Sequence, residues 1–138
     1  MDVEAGSPRF DPANPGFELR LDLESSGLVA NVTGRIDGIE ALIAMFMRIA
    51  AELRRTGLRQ VLVIDHSFGV VPPEDQLKRL VDSVGGQGFA DVRVAYVDAR
   101  GTAISRMEVG EIIGREHGYE CRVFDNESRA RIWLHYGE

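Results

Sequence analysis

The hydrophobic positions of this chain repeat with two different periods. From Phe17 to Glu24 apolar and charged residues alternate, and a period of two predicts a strand with one buried and one solvent-exposed face. A turn at 25–27 separates it from a second extended segment, Leu28–Gly34, so the two strands should form an antiparallel hairpin. Beyond Asp37 the apolar residues follow helical spacing until Leu53, and the pattern therefore changes to a helix.

Strands and helices then alternate to the end of the chain. Residues 61–64 are four consecutive apolar residues, which predicts a core strand covered on both faces, and Pro72 and Pro73 begin the following helix. Another strand at 92–97, a helix at 102–117, a strand at 119–124 and a terminal helix follow. We therefore predict an α/β domain at 17–138, with a mixed, mostly parallel five-stranded sheet, an N-terminal hairpin and four helices, after a flexible arm at 1–16.

Composition narrows the classes of function. A net charge of −6 and a pI near 5.1 disfavour nucleic acid or an anionic membrane as partner, because such surfaces attract basic domains. Cys121 is the single cysteine, so the chain has no internal disulfide, which suits the cytoplasm. No apolar run approaches the roughly 18 residues of a membrane span. We expect a cytoplasmic protein without membrane insertion.

Polar residues follow the predicted core strand at the point where α/β sheets usually carry their sites. Asp65, His66 and Ser67 are the residue types of a hydrolytic triad. Adjacent residues of an extended segment point to alternate sides, however, and the Gly-x-Ser-x-Gly pattern is absent. A turn whose polar side chains hydrogen-bond to the backbone or to water explains these three residues better. A small hydrolase that uses Ser67 is the third hypothesis.

Three aspartates, Asp65, Asp98 and Asp125, each end a predicted parallel strand and could meet at one edge as a metal or phosphoacceptor site. A response-receiver site would also need adjacent acids after an early strand and a lysine after the last one, and the chain has neither. Turn formation and helix capping explain the aspartates. The histidines have no metal-binding spacing: His66, His117 and His135. We predict no metal and no cofactor.

The order of elements, the strand ending Leu-Val-Ile-Asp at Asp65 and the closing segment Phe124–Leu134 (FDNESRARIWL) resemble the SpoIIAA-like group of the STAS superfamily. The resemblance covers Phe17–Tyr136. It implies a non-enzymatic domain, similar to anti-sigma-factor antagonists, transporter regulatory tails or binders of small apolar ligands. In the antagonists a serine that begins the helix after the central strand is the phosphoacceptor. The matching residues here, 71–75, carry no hydroxyl, and Ser67 lies several residues too early.

A bulky apolar loop next to the core strand is the main candidate for binding. Phe68, Val70 and Val71 either cover the edge of the sheet or line a surface for a partner or ligand. The loop after the next strand should lie beside them if the strands are parallel neighbours. We predict a non-catalytic regulatory module that binds a protein partner, and self-association is one form of this. Its predicted binding residues are His66, Ser67, Phe68, Val70, Pro73, Glu74, Arg100 and Thr102.

The alternative function is binding or sensing of a small apolar, lipid-like molecule. Met45 and Met47 flank the apolar stripe of the first helix, where they either widen the core contact or border a soft binding surface. We place the predicted pocket near these methionines and the central loop. Gly110 and Gly114 lie four apart in the third helix, which indicates close packing against the sheet or against a second subunit.

Overall fold

The computed structural model describes residues 11, 13–25, 27–69, 72–100 and 104–136, except for the side chains of 104–107, 109 and 110. Most of the predicted N-terminal arm falls outside these ranges, as do Val70 and Thr102 of the predicted binding surface. Nine elements follow the predicted order of strands and helices. The strands are β1 (Phe17–Glu24), β2 (Gly27–Gly34), β3 (Gln60–Asp65), β4 (Arg93–Asp98) and β5 (Glu120–Phe124). The helices are α1 (Gly38–Thr56), α2 (Glu74–Val84), α3 (Ile104–Glu116) and α4 (Glu127–Tyr136).

The five strands form one mixed sheet in the order β1-β2-β3-β4-β5. β1 and β2 pair antiparallel, and every other neighbouring pair is parallel. The sheet grows in one direction from β2 to β5, so right-handed crossovers bring α1, α2 and α3 to the same face. α4 follows the last strand and packs on the opposite face, against β3, β4 and β5. The predicted fold class is confirmed.

β3 lies at the centre of the sheet and is buried on both faces, as its continuous apolar run predicts. Val61 and Val63 belong to the larger core beneath α1 and α2. Leu62 and Ile64 belong to a smaller core that includes Trp133 of α4. Because both faces of β3 are covered, the residues that follow it reach the surface at the carboxyl edge of the sheet, between the helices of the two faces.

Hydrogen bonds at the helix ends explain where α1 ends and where α4 begins. Gly57 has a left-handed backbone (φ 73°), and its N–H donates to the carbonyl of Leu53 at 2.8 Å, which ends α1. The Asn126 side chain accepts from the backbone N–H of Arg129 at 2.9 Å and caps α4. Asp37 precedes α1 at the cap position, but makes no side-chain cap bond and instead forms an ion pair with Arg35.

Candidate functional site

The neighbouring strands β3 and β4 each end in a buried carboxylate. Asp65 and Asp98 are register partners on β3 and β4, and both are buried. One oxygen of Asp65 accepts from the backbone N–H of Ser67 at 2.8 Å, and the other accepts from the hydroxyl of Tyr96. Asp98 accepts from the backbone N–H of Arg100 at 3.2 Å. Both carboxylates therefore shape the turns that follow their strands, as the turn interpretation expects.

Tyr96 links this edge of the sheet to the core. Its ring lies in the larger core, at 6.2 Å between centroids from the ring of Phe46. Burial, and then the charge of Asp65 and the hydrogen bond to it, raises the pKa of Tyr96 well above its ordinary value. The hydroxyl consequently stays protonated and donates to Asp65 throughout the neutral range.

The loop after β3 extends the pairing between β2 and β3. The N–H of His66 donates to the carbonyl of Val32 at 2.8 Å, and the N–H of Phe68 donates to that of Gly34 at 3.0 Å. In return, Ile36 donates to the carbonyl of Phe68 at 2.8 Å. Both the N–H and the carbonyl of Phe68 are thus bonded to residues 34–36, in an isolated parallel bridge with Arg35. The loop is therefore fixed at the position of an exposed apolar residue.

Gly69 is required by this geometry. Its φ of +134° is a conformation that residues with side chains rarely adopt. A Cβ at this position would also clash with the carbonyl of Ile36 and lie 2.7 Å from a carboxylate oxygen of Asp37. Glycine therefore allows the loop to cross directly over the segment between β2 and α1.

Phe68 is 48% exposed, and two arginines approach its ring. The guanidinium carbon of Arg35 is 5.6 Å from the ring centroid, and that of Arg100 is 5.9 Å away. Arg35 also pairs with Asp37, whereas no carboxylate among the described residues lies within ion-pair distance of Arg100. We call Arg35, His66, Phe68 and Arg100 the Phe68 surface. It combines an exposed aromatic ring with positive charge in a protein that is acidic overall.

The predicted binding residues are brought together only in part. Phe68 and Arg100 meet, while Pro73 and Glu74 are exposed at the start of α2 with no described contact to the ring. Arg35 was not among the predicted binding residues. Its position just after β2 was the available signal, because the carboxyl ends of neighbouring parallel strands lie at one edge.

The catalytic and metal alternatives find no support in the described part of the chain. Ser67 is half-buried, and no hydrogen bond there joins the His66 ring to the Ser67 hydroxyl or to the Asp65 carboxylate. Asp125 is exposed and lies 3.6 Å from a guanidinium nitrogen of Arg129. No group of three or more metal-binding side chains occurs among the described residues.

An apolar cavity of about 90 Å³ lies between the sheet and the helices of the larger core. It is lined by Phe46, Leu77, Leu80, Val81, Val84, Gly85, Phe89, Val92, Val94, Tyr96, Glu111, Gly114, Tyr119, Cys121 and Val123. This cavity is not the predicted pocket, and a pocket near the two methionines and the central loop stays a prediction. Met45 is completely buried in the core, and neither it nor the half-buried Met47 lines this space, because the helix turns Phe46 toward it instead.

Gly114 borders the cavity, and a Cβ there would meet no atom within 4 Å outside its own helix. At this position glycine leaves space open and does not serve the close packing that was expected. On another wall, burial raises the pKa of the Cys121 thiol to about 12. A protonated thiol is a poor nucleophile, so this cysteine acts as a small apolar residue at neutral pH.

No family model matches the chain, and a search of curated proteins found no match. Within the described ranges, no helix is both long enough and apolar enough to cross a membrane.

Proposed function

We propose that this domain is a non-catalytic regulatory module of STAS type that binds a protein partner through the Phe68 surface. The observation that carries the proposal is that Phe68 is 48% exposed although its backbone N–H and carbonyl are both hydrogen-bonded to residues 34–36. A large apolar side chain gains free energy when a partner removes it from water. Because the backbone of Phe68 is already hydrogen-bonded, less of that gain is lost as conformational entropy of this residue on binding.

The charges beside the ring indicate the chemistry of the partner. The guanidinium groups of Arg35 and Arg100 lie close to the ring of Phe68. Within the described ranges, Arg100 has no carboxylate partner. A complementary surface would offer an apolar side chain to the ring and a carboxylate to Arg100. Aromatic and arginine side chains are also the residue types that contribute most to interface free energy. We therefore expect a partner segment with apolar and acidic residues.

We infer a regulatory role from the STAS resemblance. A switch by serine phosphorylation is not part of the proposal. Ser67 is half-buried and its backbone N–H is bonded to Asp65, and the start of α2 carries Glu74 and Asp75. A fixed negative charge at this helix N-terminus is favourable with the helix dipole. Binding would accordingly be constitutive with respect to phosphorylation at this position.

A comparison of two exposed positions tests the proposal. Proteins cross-linked to the wild-type domain in its native cells are quantified by mass spectrometry against those cross-linked to Phe68→Asp and to Ile132→Asp. Ile132 is exposed on α4, on the opposite face of the sheet, and is the matched control. We expect Phe68→Asp to lose a partner at least tenfold while Ile132→Asp keeps it. Equal recovery with a folded Phe68→Asp variant would refute the Phe68 surface as the binding site.

Binding of a small apolar ligand is a second candidate function, supported by the cavity beside Gly114. Its volume of about 90 Å³ is below the ~150 Å³ of a dry cavity that accepts benzene, so only a ligand of a few heavy atoms fits without movement of α2 or α3. Xenon provides a direct probe, because it binds dry apolar cavities. We expect a saturable change in the 129Xe chemical shift that Gly114→Val abolishes. The absence of saturation in the wild-type protein would exclude this function.

A further inference from the structure

We propose that the outer edge of β1 pairs antiparallel with β1 of a second copy, with a two-fold axis at Leu21, so that one sheet runs through a homodimer. The proposal concerns the edge of the sheet farthest from β5 and does not depend on the Phe68 surface.

The two edges of the sheet differ in how they are protected. At β5 the backbone N–H of Val123 donates to the side chain of Glu111 at 2.8 Å, so a helix residue occupies a donor of that edge strand. β1 pairs with β2 along its full length, contains no proline, and within the described part of the chain has no strand on its other side. Long, regular and unpaired edges are the ones that accept another strand.

The register of β1 and β2 decides which backbone groups point outward. Arg35 donates to the carbonyl of Gly16 at 2.8 Å, and the same register places Phe17 opposite Gly34. Hydrogen-bonded and non-hydrogen-bonded pairs alternate along an antiparallel ladder. Even-numbered residues of β1 therefore bond to β2, and the odd-numbered residues from Phe17 to Leu23 present their N–H and C=O groups to the open edge.

The same odd-numbered residues carry the apolar face of β1. Phe17 is buried, Leu19 and Leu21 are half-buried, and Leu23 is 57% exposed. Burial thus declines along the strand. In a pair centred on Leu21, Leu23 lies opposite Leu19 of the second copy, and the most exposed of these side chains becomes covered.

The charges on the other face of β1 favour this register over an axis at Arg20. A two-fold axis at Leu21 places Arg20 opposite Asp22 of the second copy, twice in the dimer. These would be non-hydrogen-bonded pairs, in which the side chains are closest. An axis at Arg20 would instead place Arg20 opposite itself and Glu18 opposite Asp22, so that only like charges meet. An axis at Leu19 would leave Leu23 uncovered.

One like-charge pair remains in the favoured register, Glu18 opposite Glu24. Glu24 already lies 3.1 Å from a guanidinium nitrogen of Arg131 on α4, which offsets the repulsion. The pairing adds about six backbone hydrogen bonds and a small leucine cluster. An interface of this size is smaller than that of a stable dimer, so we expect dissociation in the range of about 1–100 µM.

A charge exchange tests the register. Arg20 and Asp22 side chains are 75% and 49% exposed and lie 3.1 Å apart in one chain, where a surface ion pair contributes little to stability. We expect Asp22→Arg to weaken dimerisation at least tenfold, because Arg20 of each copy then faces an arginine of the other copy in place of an aspartate. The double variant Arg20→Asp with Asp22→Arg should return the dissociation constant to within about threefold of wild type.

Sedimentation velocity of the full chain from about 1 to 200 µM measures the dissociation constant. Circular dichroism and thermal unfolding check that each variant folds. The proposal is supported only by a wild-type dimer that the single variant weakens and the double variant restores. A monomer at all concentrations overturns it, as does a dimer that Asp22→Arg leaves unchanged or that the double variant fails to restore.

Discussion

Replacing Tyr96 by phenylalanine tests whether the hydrogen bond at the carboxyl edge stabilises the domain. The substitution removes one hydroxyl and keeps the ring, including its stacking against Phe46. Asp65 is buried and would retain only the backbone N–H of Ser67 among the two donors described above. Hydrogen bonds to a charged group contribute about 1.5–3 kcal/mol, and a buried acceptor left without its donor costs a similar amount.

That loss converts into a measurable shift in melting temperature. With about 2.1 cal/mol/K of unfolding entropy per residue, a chain of 138 residues has about 0.3 kcal/mol/K, so Tm should fall by about 5–10 °C. Differential scanning calorimetry at pH 7 measures the change. Tyr136→Phe is the matched control, because Tyr136 is 71% exposed and its loss of a hydroxyl should leave Tm within about 1 °C. A Tm for Tyr96→Phe equal to that of the control would refute the reasoning.

Two further predictions concern glycine and alkaline pH. Gly114→Ala should raise the free energy of unfolding by about 0.5–1 kcal/mol, since the added methyl meets no atom within 4 Å and favours the helix. Gly118→Ala should lower the free energy of unfolding, because Gly118 has a φ of +87°. Urea titrations of the two variants measure both changes. The pKa of Cys121 is raised from 9 to about 12, so the unfolded chain ionises first. Stability should therefore be complete below pH 9 and fall by up to about 1.4 kcal/mol per unit above it, and Tyr96, whose pKa is also raised, should add a similar loss above about pH 10. Cys121→Ala should remove the first loss in urea titrations between about pH 8 and 11, and an unchanged profile would contradict the assignment.

The fold could be predicted from the sequence because its elements are locally encoded. Alternation over Phe17–Glu24 and the unbroken apolar run at 61–64 indicate different strand environments, and both interpretations are confirmed. Connections that alternate helix and strand then leave few topologies. The strand order β1 to β5 could not be predicted in the same way, because a right-handed crossover can place the next strand at either edge of a sheet.

The candidate site was less predictable because it depends on contacts across strands. The bond from Tyr96 to Asp65 requires the register of β3 against β4, which hydrophobic periodicity does not specify. Arg35 joins Phe68 through a bridge that continues past the end of β2. The cavity beside Gly114 was not predicted for a related reason. Gly114 and Phe46 are distant in sequence, and which side chains fail to fill a space depends on their packing in three dimensions.

The structure also predicts that stability and partner binding respond to different residues. Tyr96 holds Asp65, Asp65 holds the N–H of Ser67, and the next residue is Phe68, so the exposed ring is connected to the core by consecutive hydrogen bonds. Phe68 is about half exposed, so its side chain contributes less to the free energy of unfolding than a fully buried phenylalanine does. Phe68→Asp should consequently reduce binding with little change in Tm, whereas Tyr96→Phe should lower Tm. The backbone bonds from Phe68 to the segment after β2 do not involve Tyr96, so they should keep the ring in place and preserve binding in that variant.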